Sequence, residues 1–128
     1  MVSEKIRKPS IEKPWLKLFS EEAKKSEFPK DTIYNVIKGL SSSRLNNYAI
    51  DYYGNELTYR QFMEEVDIAA GSLESLGVKS GDIIACNSAT IPEMIVLLYA
   101  SNKIGATMLA IDPRRTSSFI KNKVTLMR

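Results

Sequence analysis

Histidine is missing from all 128 residues. Its absence removes the serine–histidine–aspartate and cysteine–histidine catalytic arrangements and every metal site that uses an imidazole ligand. A single cysteine, Cys86, excludes an internal disulfide, so a reducing cytoplasm is the expected compartment. Neither G-x-G-x-x-G nor the lysine-containing P-loop occurs, and the usual backbone cradle for phosphate is therefore lacking. A membrane span needs about 20 apolar residues with few charges. The most apolar window, Ile91 to Ile111, is interrupted by Pro92, Glu93, Lys103 and Gly105, so no span is expected. The opening, Met1 to Pro14, is charged throughout and does not read as a signal peptide.

What the sequence does contain is ordinary globular material. Apolar residues make up 44% and charged residues 26%, which argues for one packed domain and against a disordered polyampholyte. The net charge of +3 is too small to imply a nucleic-acid partner, and none is expected. Its distribution is uneven. Arg114, Arg115, Lys121, Lys123 and Arg128 follow Pro113 with no acid among them, leaving the preceding residues net acidic. Such a tail could meet phosphate, giving weak nucleotide affinity, but the plainer reading is a solvated helix face.

The first 31 residues alternate short apolar pairs with charges and carry Pro9, Pro14 and Pro29, a composition suited to an arm. Pro14 is expected to begin a short helix in which Trp15, Leu16, Leu18 and Phe19 bury one side, with Glu21, Glu22, Lys24 and Lys25 in water. Trp15 reads as an anchor for the arm. Asp31 is the expected N-cap of a helix over Thr32 to Leu40, where Ile33, Val36, Ile37 and Leu40 recur at helical spacing. Tyr48 to Tyr53 and Leu57 to Tyr59 flank Gly54-Asn55 and predict a β-hairpin.

Thr58 and Gln61 form a capping box that opens the clearest helix. Phe62, Val66, Ala69, Ala70, Leu73 and Leu76 mark its inner face, Arg60, Glu64, Glu65, Asp67 and Glu74 its outer one, and Gly77 its end. Ile83 to Cys86 predicts a buried strand. Thr90, Pro92 and Glu93 provide a second helix start, and Met94 to Ile104 follows, apolar nearly all round, as a helix expected to be buried on several sides; Thr107 to Ile111 predicts a second buried strand. Strand, helix and strand make a βαβ unit with parallel strands. A last short helix is expected within Ser117 to Arg128, built on Phe119, Ile120 and Val124. The fold class is thus α/β: an arm, a hairpin and helix, then the start of a parallel sheet.

Candidate chemistry is sparse. Cys86 sits in a strand with no basic neighbour in sequence and reads as a structural thiol. Glu21-Glu22 and Glu64-Glu65 fall on faces expected to be solvated, unlike a desolvated acid/base pair. No catalytic, cofactor-binding or metal-binding residue is assigned.

Several segments nevertheless line up. Lys13-Pro14-Trp15, Thr32-Ile33-Tyr34, Ala49-Ile50, Gly54 and Leu57-Thr58-Tyr59 come first, and Gly77-Val78-Lys79-Ser80-Gly81-Asp82 follows. Ile91-Pro92-Glu93 and Lys103-Ile104-Gly105-Ala106, leading to Ile111-Asp112-Pro113-Arg114, complete the series. In this order, over about residues 13–116, the chain resembles the opening of the AMP-forming adenylating enzymes, which include acyl-CoA synthetases, amino-acid-adenylation domains and luciferases. The tryptophan-bearing arm is most similar to that of acyl-CoA synthetases such as the fatty-acid–CoA ligases.

The resemblance implies a parent reaction in which a carboxylate and ATP give an acyl-adenylate and pyrophosphate with magnesium, after which coenzyme A takes the acyl group. No position matches the family's phosphate loop, ribose-binding aspartate or catalytic lysine, so ATP, magnesium and coenzyme A are expected to belong to the full-length enzyme and not to this chain. Residues 1–31 are then an arm and residues 32–128 an incomplete N-terminal subdomain. The expectation is an inactive fragment of a ligase with exposed apolar patches and a bare sheet edge. Its expected partners are the remainder of the enzyme or a second copy. The rival expectation is a standalone interaction module built on the same fold.

Overall fold

The structure, a computed structural model, describes residues 9–126 and divides the chain into two units, Met1–Lys30 and Asp31–Arg128. The first unit contains α1 (Pro9–Glu12), a 3-10 turn over Pro14–Leu18 and α2 (Glu21–Lys25). Pro14 starts the 3-10 turn, where its missing N–H costs nothing, and the Ser20 hydroxyl caps α2 by accepting from the Ala23 N–H at 3.1 Å. The single amphipathic helix expected here is therefore two short pieces. Trp15, Leu16, Leu18 and Phe19 are all exposed, so the burial expected for them is not found. Segments of four or five residues are too short to present an apolar face.

The second unit runs α3 (Ile33–Ser41), β1 (Tyr48–Tyr52), β2 (Asn55–Thr58), α4 (Tyr59–Ser75), β3 (Ile83–Asn87), α5 (Pro92–Lys103), β4 (Thr107–Ile111) and α6 (Ser117–Leu126). The expected last helix is α6; Met127 and Arg128 lie outside the described residues. The N-cap of α3 is Thr32, whose hydroxyl accepts from the Asn35 N–H at 3.1 Å, and not Asp31. Asp31 serves one step earlier, accepting from the Thr32 N–H and the Asn35 amide, each at 2.7 Å.

The hairpin closes on Tyr53-Gly54 and not on Gly54-Asn55. Tyr52 pairs with Asn55, and both turn residues have positive φ, 51° and 82°. That is the type I′ geometry, whose twist matches the strands. Tyr59, expected in the strand, instead begins α4. The Thr58–Gln61 capping box is present with both of its reciprocal hydrogen bonds, at 3.3 and 2.9 Å.

Helices α4 and α5 end alike. Val78 N–H donates to the Leu73 carbonyl at 3.1 Å around Gly77, and Ala106 N–H donates to the Ser101 carbonyl at 2.9 Å around Gly105. Both glycines have positive φ, as this C-terminal motif requires. At Gly105 the constraint is doubled, because a Cβ would lie 2.5 Å from the Ser80 hydroxyl oxygen.

The core gathers Tyr34 of α3, Phe62, Met63, Val66 and Ala70 of α4, and Ala100 of α5. Phe62 meets Tyr99 edge to face with ring centroids 5.2 Å apart. The inner face read from the sequence holds except at its end, where Leu76 is 82% exposed. Strands β3 and β4 pair in parallel, Ile83 with Thr107 through Asn87 with Ile111. They are not the buried strands expected. Ile83, Ala85 and Ala110 are exposed, because a two-stranded sheet has neighbours on one side of each strand only. The helix α5 is likewise half-buried, with Leu98 exposed. Among the described residues no helix is long and apolar enough to cross a membrane.

Two outcomes test this packing. Phe62→Ala should cost about 3–5 kcal/mol in urea unfolding, the usual penalty for emptying an aromatic site. Tyr53→Asn should stabilise the chain by about 1 kcal/mol, because it relieves a left-handed tyrosine that is 91% exposed. An unchanged unfolding midpoint would refute either.

Candidate functional site

In open α/β sheets ligands bind outside the carboxyl ends of the strands. Here those ends are the loops that follow β3 and β4, beside the start of α5. They enclose an open groove of about 490 Å³ lined by Ser88, Ala89, Thr90, Met94, Ala110, Ile111, Asp112, Pro113 and Arg114.

Its charged groups are occupied with each other. The Asp112 carboxylate accepts from the Arg114 backbone N–H at 2.9 Å, from its Nε at 3.0 Å and from its Nη2 at 2.7 Å. The Arg114 guanidinium holds the Asp112 carboxyl below its usual range, and Arg114 is raised in turn. The start of α5 has Ile91 as an N-cap without a side-chain hydrogen bond, and Glu93 lies in its first turn, where a carboxylate opposes a bound anion. The Ser88 hydroxyl donates to the Ala89 carbonyl at 3.0 Å. The groove can hold a small polar group, but no nucleophile–base pair is assembled in it.

The residues weighed in the sequence fall elsewhere. Cys86 is half-buried in β3, Glu64 and Glu65 are exposed on α4, and Glu21 forms an exposed pair with Lys24 in α2. Arg115 and Lys123 lie over the Phe119 ring at 4.9 and 5.7 Å. Among the described residues no group of three or more His, Cys, Asp or Glu could hold a metal.

A second polar constellation escaped the sequence reading. The Tyr34 hydroxyl donates to Asp67 Oδ1, Lys103 Nζ donates to the same oxygen at 2.8 Å, and Lys38 Nζ donates to the Tyr34 oxygen at 3.3 Å. Tyr34 N–H also donates to the Asn102 side chain at 3.0 Å. Three helices are thus tied at one point. Asp67 had been placed among solvated residues, and its partners lie 33 and 36 positions away, beyond any local pattern. Burial raises the Tyr34 pKa, and Asp67 adds to the rise. Burial also pushes Asp67 up, but hydrogen bonds from Lys103 and Tyr34 outweigh it and leave the carboxyl lowered. The Asp67 bond raises Lys103.

The AMP-binding enzyme family model matches residues 41–122, from the end of α3 into α6. The chain belongs to that family. It is 31% identical over 97 residues to bacitracin synthase 3 of Bacillus licheniformis, which covers 76% of this chain and 2% of that protein. Acetyl-coenzyme A synthetase 1 of Candida albicans is also 31% identical over 97 residues, 71% of this chain and 14% of the synthetase. The chain therefore spans a small part of the curated relatives it matches.

The N-terminal subdomain of Klebsiella oxytoca NpsA superposes with a TM-score of 0.72 at 22% identity, over 76% of this chain and 26% of that one. A Rhodopseudomonas palustris protein described as a putative long-chain-fatty-acid CoA ligase superposes with a TM-score of 0.65 at 28% identity, over 70% of this chain and 23% of that one. The matched stretch includes Asp67, Lys103, Asp112 and Arg114, and Tyr34 precedes it.

The Asp67 cluster gives a pH expectation. A lowered folded-state pKa means that the stabilisation is fully present above the unfolded value, about 4, and is lost as pH falls through the folded one. Lys103 is raised, so its contribution is lost as pH climbs above about 10.4. Both side chains are a third or more exposed, and screening keeps the pair to about 0.5–1 kcal/mol. Asp67→Asn should cost that much at pH 7, and the gap from wild type should close in acid. A gap that persists at pH 2 would contradict the charge pairing.

Proposed function

We propose that this chain provides the opening scaffold of an ATP-dependent acyl-CoA ligase. In the parent reaction a carboxylate oxygen attacks the α-phosphorus of ATP, pyrophosphate leaves, and the thiol of coenzyme A then displaces AMP from the acyl-adenylate. The observation that carries the reading is the family match over residues 41–122, with hairpin, helix and parallel βαβ unit in the matching order. The acetyl-coenzyme A synthetase and Rhodopseudomonas matches support the ligase class, and bacitracin synthase 3, matched at the same 31% identity, keeps amino-acid adenylation as the second reading.

Magnesium–ATP does not fit the described residues. The groove has no glycine-rich loop, its arginine is bound to Asp112, and Glu93 stands at the helix start. Coenzyme A meets the same obstacle, since its phosphates need cations that this groove does not offer. No chemical step is assigned to this chain. Its contribution is to position the sheet, and the exposed β3 and β4 surfaces are where the remainder of an adenylating domain would pack. The lone half-buried Cys86 suits a reducing cytoplasm.

Two measurements test the proposal. The 128-residue chain should give no ATP–pyrophosphate exchange above the blank with any carboxylate, and exchange by the chain alone would end the scaffold reading. Its matching segment, grafted in place of the corresponding stretch of the Candida synthetase, should preserve detectable acetyl-CoA formation. A folded, soluble and wholly inactive graft would count against the ligase assignment.

A further inference from the structure

The hairpin, α4 and α5 enclose two adjoining hollows of about 670 and 550 Å³ that share Leu57, Pro92 and Glu93. The floor is apolar, made by Leu57, Ala69, Pro92, Val96 and Leu97. The rim is acidic. Glu56, Glu65 and Glu93 stand on it, and no lysine or arginine lines either hollow.

Helix α6 has the opposite character. It contains no acid, none of its residues is buried, and it packs substantially on no other element of its unit. Ile120 and Val124, four residues apart, share one face that forms a shallow furrow with Lys121 beside it. Lys123 and Arg115 both lie over the Phe119 ring, at 5.7 and 4.9 Å from its centroid. An apolar stripe flanked by cations thus matches an apolar floor flanked by carboxylates. Burial of the stripe would supply affinity, and the rim charges would set register.

We propose that this groove receives α6 from a second copy of the chain. Groove and helix are different surfaces, so two copies either exchange helices reciprocally about a two-fold axis, as an isologous dimer, or pass them head to tail into a ring or longer assembly. This is independent of the adenylating function, because the two hollows share no lining residue with the Asp112–Arg114 groove.

Light scattering on the full 128-residue chain tests it, with two charge-reversed variants at exposed positions, Glu65→Lys with Glu93→Lys and Lys121→Glu with Lys123→Glu. Wild-type mass should rise with protein concentration and fall as salt shortens the reach of charge. Each variant alone should associate about tenfold or more weakly, since like charges then face each other. Mixing the two should restore association, because the basic groove meets the acidic helix and the acidic groove meets the basic one. Circular dichroism of each variant should match wild type. A single-chain mass at every concentration would overturn the proposal. So would a mixture that stays dissociated, or association that salt and charge reversal leave unchanged, the mark of indiscriminate contact through the bare sheet.

Discussion

The second unit depends on the contact between α4 and α5, where Val66 and Ala100 are fully buried. Alanine at the crossing lets the two backbones approach, and the neighbouring Ser101 can be buried because its hydroxyl donates to the Leu97 carbonyl at 2.7 Å. Everything else is arranged around that contact. Tyr34 carries α3 onto it, β1 and β2 lie against α4, and α5 delivers the chain from β3 to β4. The polar tie through Asp67 and Lys103 sits at the part-exposed edge of the same contact.

Those two helices were also the most legible part of the sequence, for a physical reason. Their limits are written in residues that act within four positions: Thr58 with Gln61 at one start, Pro92 at the other, Gly77 and Gly105 at the ends. The hairpin was legible in outline, but its turn was misplaced by one residue. Gly54 announces one positive φ, whereas the second, at Tyr53, is imposed by the Tyr52–Asn55 pairing and leaves no trace in residue type. At α3 two capping residues stand side by side, and spacing alone does not choose between Asp31 and Thr32.

The strands show a different limit. Ile83-Ile84-Ala85-Cys86 and Met108-Leu109-Ala110-Ile111 have the composition of strands covered on both faces, yet Ile83 is 42% exposed. Composition reports the environment a strand is suited to, and two strands cannot provide it for each other. The mismatch between apolar character and exposure is thus itself information: it marks the surface that needs covering. The candidate groove was not read from the sequence: the βαβ unit was, and with it the carboxyl ends of its strands, but nothing local marked the loops there as a site. That Asp112 and Arg114 would satisfy one another depends on the loop geometry after β4.

That self-satisfied pair bears on the scaffold role proposed for this unit. An exposed ion pair contributes little to stability, so its value has to be sought in geometry. Four hydrogen bonds from one arginine to one carboxylate tie the chain together as it leaves β4. An arginine meant for a phosphate would be left with its fork open to solvent, and a carboxylate meant for a metal would stand among others of its kind. In this groove each neutralises the other. The loop after β4 therefore keeps its own charges paired as the chain turns away from the sheet.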